Sequence, residues 1–110
     1  MITAIVQFKL PKGISRAEAA GLFQGSAPKY RGVDGLVRKY YLFAADDTGG
    51  GVTGGGVYLW ESRAAAEKVY DAAWRKMIAD RYGSPPDIRF FETPVIVDNL
   101  TNQVMVDDAA

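Results

Sequence analysis

The sequence predicts an α+β domain in which a four-stranded antiparallel sheet carries two helices on one face. Three observations predict it. Apolar and polar residues alternate over the first ten positions, and an apolar stripe of helical period runs from Ala66 to Ile78. The segments as a whole read strand, helix, strand, strand, helix, strand. A chain of 110 residues is one domain, 1–110, and residues 99–110 read as its C-terminal tail.

The first strand puts Ile2, Ala4, Val6, Phe8 and Leu10 on one face, and Pro11 and Gly13 end it. Ser15 with Glu18 is a capping box, and Ile14 with Ala19 can staple the same turn. The first helix then turns Ala19, Ala20 and Phe23 inward, with Leu22 at the margin of that face. Gly25 and Pro28 predict a break, giving a two-piece element to about Arg31. Leu36 to Phe43 is the second strand. Ala44 to Gly56 contains Asp46, Asp47 and six glycines and reads as a flexible hairpin loop, leaving Val57 to Trp60 as a short third strand.

Ser62 can cap a second helix. Ala66, Val69, Tyr70, Ala73, Trp74, Met77 and Ile78 fit its stripe without a gap, and Asp71 with Arg75 is spaced as an i, i+4 ion pair. Gly83, Pro85 and Pro86 stop it. Ile88 to Asp98 is a fourth strand interrupted by Pro94, which removes a ladder donor. Val104 to Val106 can add a short strand to this chain or to a partner. The order is that of the ferredoxin-like βαββαβ plan.

Composition excludes several function classes. The chain has no Cys, so disulfides, thiolate metal sites and Cys nucleophiles are absent. It has no His, which removes the commonest transition-metal ligand and the usual base at neutral pH. Thirteen basic and thirteen acidic residues balance, so there is no basic footprint for nucleic acid. No apolar run is long enough to span a membrane. Met1 to Leu10 lacks a basic leader, and the expected compartment is the cytoplasm.

The glycine run lacks the following helix and the Lys-Ser/Thr pair of a phosphate loop. Asp46-Asp47 and Asp107-Asp108 lack the spacing of a cation site. The aromatic strands are more informative. The second strand carries Leu36, Tyr40 and Leu42 against Val37, Tyr41 and Phe43. The third carries Val57 and Leu59 against Tyr58 and Trp60, and the fourth Ile88 and Phe90 against Phe91. Strands apolar on both faces are usually covered on both, so two subunits are expected to pack sheet to sheet as a homodimer. If Val57 and Leu59 face the helices, Tyr58 and Trp60 line the cavity on the opposite side. Arg38 and Tyr40 share a face of the second strand. Arg89 is a charge within an apolar segment, either an exposed edge residue or a clamp for an anion.

Gly35-Leu36-Val37-Arg38-Lys39-Tyr40-Tyr41-Leu42, then Gly55-Gly56-Val57-Tyr58-Leu59-Trp60-Glu61-Ser62, and finally Pro94-Val95-Ile96-Val97-Asp98-Asn99 resemble the YdhR-like monooxygenases. These are related in fold to the antibiotic-biosynthesis monooxygenases. The resemblance spans roughly Ile2 to Asn99. It implies a homodimeric α+β barrel and oxygenation of a small aromatic or polyketide-like molecule without metal, haem or flavin. Tyr58, Trp60 and Tyr40 would bind the substrate, and Arg38 or Arg89 would stabilise its anion, but no catalytic residue transfers by motif. A non-catalytic dimer that binds an apolar ligand, and a lyase or isomerase of the same fold, are the alternatives.

Overall fold

The first strand, β1, runs from Ile2 to Leu10, and its predicted apolar face is the buried one: Ala4, Val6, Phe8 and Leu10 are all in the core. The structure, a computed structural model, describes residues 1–46, 49 and 51–107. β1 pairs with β3 (Val52–Trp60) on one side and β4 (Asp87–Glu92) on the other, and β2 (Leu36–Ala45) completes the sheet beyond β3. All pairings are antiparallel, in the order β2-β3-β1-β4. This is the ferredoxin-like α+β sheet that the sequence predicts.

Helices α1 (Arg16–Tyr30), α2 (Arg63–Val69) and α3 (Ala72–Tyr82) cover one face. Their buried residues, Ala19, Phe23, Ala66, Trp74, Ile78 and Tyr82, join the even-numbered residues of β1 and β3 in one core. The capping box at Ser15 and Glu18 is formed in both directions. No helix of the described residues is long and apolar enough to cross a membrane.

Four local expectations are corrected. The first helix is continuous, with Gly25 and Pro28 inside it. Pro28 forfeits its amide bond to the Gln24 carbonyl, but the helix runs only two residues past it, and Ser26 donates its hydroxyl to the Phe23 carbonyl at 3.0 Å. The second helix is instead broken in two. Asp71 leaves helical geometry and caps α3, accepting from the Trp74 amide at 2.8 Å, so Asp71 serves the backbone and not Arg75. Arg75 donates to the Tyr70 carbonyl at the break.

The glycine-rich stretch is the third correction. Residues 52–56 are not loop: β3 begins at Val52, and Gly54, Gly55 and Gly56 lie buried in the middle of the sheet. Asp47, Thr48 and Gly50 of the predicted loop lie outside the described residues. Fourth, Pro94 divides the last strand. Only Asp87–Glu92 joins the main sheet, while β5 (Val95–Asp98) forms a separate hairpin with β6 (Gln103–Val106) of the same chain.

The uncovered face is lined by Ile5, Tyr40, Val57, Leu59 and Phe91, and the β5–β6 hairpin lies over part of it. Both faces of that hairpin are apolar, and Val95, Val97, Val104 and Val106 are exposed, as is Leu100 at its turn.

Candidate functional site

Between the helices and the sheet lies a layer of aromatic rings, and the glycines of β3 make room for it. Tyr41 is in register with Gly56 and Phe43 with Gly54. A Cβ on Gly56 would lie 3.0 Å from both the Tyr58 ring and the Tyr40 carbonyl, and one on Gly54 would meet Leu10 and Phe8 at 2.8–3.0 Å. Glycine in a strand marks such close approach. β2 has a bulge between Leu36 and Arg38. It turns Leu36 to the same side as Lys39, Tyr41 and Phe43, so Leu36 leaves the face of Tyr40 and Leu42 on which alternation places it.

This geometry overturns one expectation. Tyr58 and Trp60 do not face the helix-free side. They lie beneath the helices, 2% and 0% exposed, because Val57 and Leu59 take the other face. Trp60 Nε1 donates to the Tyr70 hydroxyl at 3.0 Å, and Tyr70 stands edge-on to both Tyr58 and Trp60. Trp74 Nε1 donates to the Tyr30 hydroxyl at 2.9 Å. The Tyr41 and Ser26 hydroxyls share a hydrogen bond of 2.7 Å, and Tyr41 stacks on Phe23 at 5.0 Å. Burial raises the Tyr58, Tyr70 and Tyr41 phenols above their ordinary pKa. They are neutral hydrogen-bonding groups at physiological pH.

Lys39, which sequence reasoning did not single out, projects into this layer. Its Nζ lies 3.4 Å from the centre of the Tyr30 ring, 3.8 Å from Tyr41 and 4.6 Å from Tyr58. The three rings come from α1, β2 and β3 and form a box around the amine. No carboxylate of the described residues pairs with it. Burial without a counter-charge lowers its pKa from 10.5 to about 7. The available signal is the strand period, which puts Lys39 between Val37 and Tyr41 on one face. Beside the box, a cleft of about 480 Å³ opens between α1 and β2, lined by Arg16, Ala20, Phe23, Gln24, Tyr41 and Phe43. Tyr41 is common to both.

The other predicted site residues fall on the open face. The Arg38 guanidinium donates to the Tyr40 hydroxyl at 3.2 Å and lies 3.6 Å from Asp98 at the end of β5. Backbone amides of Leu100 and Thr101 with Arg38 hold the Asp98 carboxyl below its usual pKa, Leu100 contributing most. Arg38, Tyr40, Val57, Leu59, Ile96 and Asp98 line a groove of about 580 Å³ under the hairpin. Tyr40 is 54% exposed. Arg89 is exposed on the edge strand β4, its guanidinium 5.3 Å from the Phe91 ring centre. The structure thus brings Arg38 and Tyr40 together and separates them from Tyr58 and Trp60 by the thickness of the sheet. Among the described residues no three acidic side chains gather as a metal cluster.

No family model matches the chain, and no curated protein matches it. Solved structures do. A protein of unknown function from Nitrosomonas europaea, NE2512, superposes with a TM-score of 0.60 at 20% identity, over 84% of this chain and 87% of its own. SnoaB, a cofactor-independent oxygenase from Streptomyces nogalater, superposes with a TM-score of 0.57 at 17% identity, over 84% and 91%. At such identities the likeness establishes the shared fold. That fold is the one used by an oxygenase that works without a cofactor.

Proposed function

We propose that this chain is a cofactor-independent monooxygenase of the YdhR-like kind, acting as a homodimer on a small aromatic or polyketide-like molecule. The observation that carries the reading is the box of three tyrosine rings around an amine with which no carboxylate of the described residues pairs, beside a cleft and beneath the helices. Oxygen reacts slowly with closed-shell molecules unless one of them supplies an electron. A phenol or enol does so readily once it is an anion. A protein that binds such a molecule in a dry aromatic site and removes its proton therefore needs no metal or flavin. The anion passes one electron to oxygen, the two radicals join as a peroxide, and loss of water leaves a carbonyl. One oxygen atom stays on the product and the other leaves as water.

In this reading Tyr41, which lines the cleft, meets the substrate through its ring, while Tyr58 and Trp60 act from the core behind it, Trp60 through its bond to Tyr70. Arg38, Tyr40 and Arg89 belong to the open face, where a second subunit packs. Covering that face by self-association also removes an exposed apolar surface that would otherwise aggregate.

The test is oxygen uptake by the purified protein with a panel of naphthols and anthrones. Stimulated uptake with one quinone formed per oxygen, carrying one atom of isotopically labelled oxygen, supports the reading. Saturable binding of the same molecules with no change in uptake would favour a ligand-binding dimer, and isomerised or cleaved product without uptake a lyase or isomerase.

A further inference from the structure

We propose that the Lys39 amine is the proton acceptor of this site, and that an acidic phenol or enol approaching its solvent side is held as an anion against the resulting ammonium, which the box of Tyr30, Tyr41 and Tyr58 faces from within. The inference deepens the oxygenase reading but is tested apart from it.

A lysine inside an aromatic layer is costly for the fold. Its ammonium loses water, and no acid of the described residues compensates. The ring faces return only part of that cost by cation–π attraction. An apolar side chain of similar length would fill the same space at less cost. The packing nevertheless accommodates the lysine closely: a Cβ on Gly56 would come within 3.3 Å of Lys39 Cε. The side chain is half-buried and not sealed from solvent, and the cleft between α1 and β2 shares Tyr41 with the box.

The groups that face Nζ define what it can do. They are the Tyr30 ring from α1, Tyr41 from β2 and Tyr58 from β3, with Tyr70 and Trp74 behind them. Tyr58 is held neutral chiefly by burial and also by Tyr30 beside it, so it does not supply a negative charge to the amine. When a phenol approaches, its O–H bond breaks and the proton moves to the lone pair of Nζ. One ammonium and one phenolate result, and the site gains no net charge. The ring faces that do little for a neutral amine then stabilise the ammonium. With the amine titrating at about 7, the match is to phenols and enols acidified to near neutrality, not to aliphatic alcohols.

The experiment is visible absorption of para-nitrophenol, whose phenolate is coloured and whose phenol is not, at neutral pH, where a large share of the amine is still unprotonated. Titration of the wild-type protein is expected to raise the phenolate band above that of free probe, and to saturate. Lys39→Met, and Lys39→Gln as a second variant, are expected to lose the band while their thermal unfolding stays cooperative. Absence of the band in the wild type, or its persistence in both variants, overturns the inference. The two readings separate cleanly. A phenolate band without oxygen uptake on naphthols or anthrones keeps the proton acceptor and removes the oxygenase. Uptake equally fast in wild type and Lys39→Met, with no band, does the reverse.

Discussion

Gly55 shows how closely the site is tied to single residues. Its φ of 154° is one that side chains rarely adopt, and a Cβ there would lie 1.9 Å from the Val6 carbonyl oxygen of the neighbouring strand. Gly55→Ala must separate β1 from β3, and we expect it to cost more than about 3 kcal/mol in denaturant unfolding. Lys39 gives the opposite sign. Its pKa is about 7 folded and near 10.5 when exposed. Between those values the unfolded chain binds the proton and the folded chain does not, so stability rises with pH across that window. Below about 7 the penalty is complete. Lys39→Met should therefore melt several degrees above wild type in acid, with the gap closing toward alkaline pH. Calorimetric melting across that range checks it. At this scale the sequence was half legible. The face holding Lys39, Tyr41 and Phe43 follows from alternation. The facing of Tyr58 and Trp60 does not, because both faces of β3 are apolar and period two alone assigns neither side. The clue lay in Gly54 and Gly56, which share their face and leave the space that large rings need.

At the scale of elements, the break between α2 and α3 is the instructive feature. An uninterrupted stripe from Ala66 to Ile78 predicts one helix, and hydrophobic period alone could not reveal that Asp71 would cap the next turn. The local hydrogen bond to Trp74 competes with helix continuation and wins. The break matters to the site because it places Tyr70 between Tyr58, Trp60 and Trp74. Asp71→Ala removes the cap, with an expected loss of about 1 kcal/mol in denaturant unfolding. Asp71→Ser should recover most of it. The glycine run misled for a related reason. Six glycines in thirteen residues signal a loop, yet three of them are strand residues, Gly54 and Gly56 closed over by neighbouring side chains and Gly55 by the Val6 backbone. The first two strands, the capping box and the stop at Gly83, by contrast, were readable from local pattern.

At the scale of the molecule, the sheet divides the chain's work between its faces. The helix side holds the phenols and the amine. The other side carries Val57, Leu59, Tyr40 and Phe91, with Phe91 42% exposed, together with a hairpin apolar on both surfaces. Our reading assigns this side to a second copy of the chain. Light scattering should then give twice the 12.0 kDa of one chain at micromolar concentration. Phe91→Lys with Val97→Lys should weaken association at least tenfold, or about 1.4 kcal/mol, without altering the monomer's circular dichroism. A monomeric wild type would leave the open face unexplained.

The central claim is that the chemistry sits at Lys39, inside the aromatic layer. The most direct measurement is a heteronuclear NMR titration of the lysine side-chain amines. The account predicts one amine titrating near 7, absent from Lys39→Met. A Lys39 that titrates near its ordinary 10.5 would contradict it.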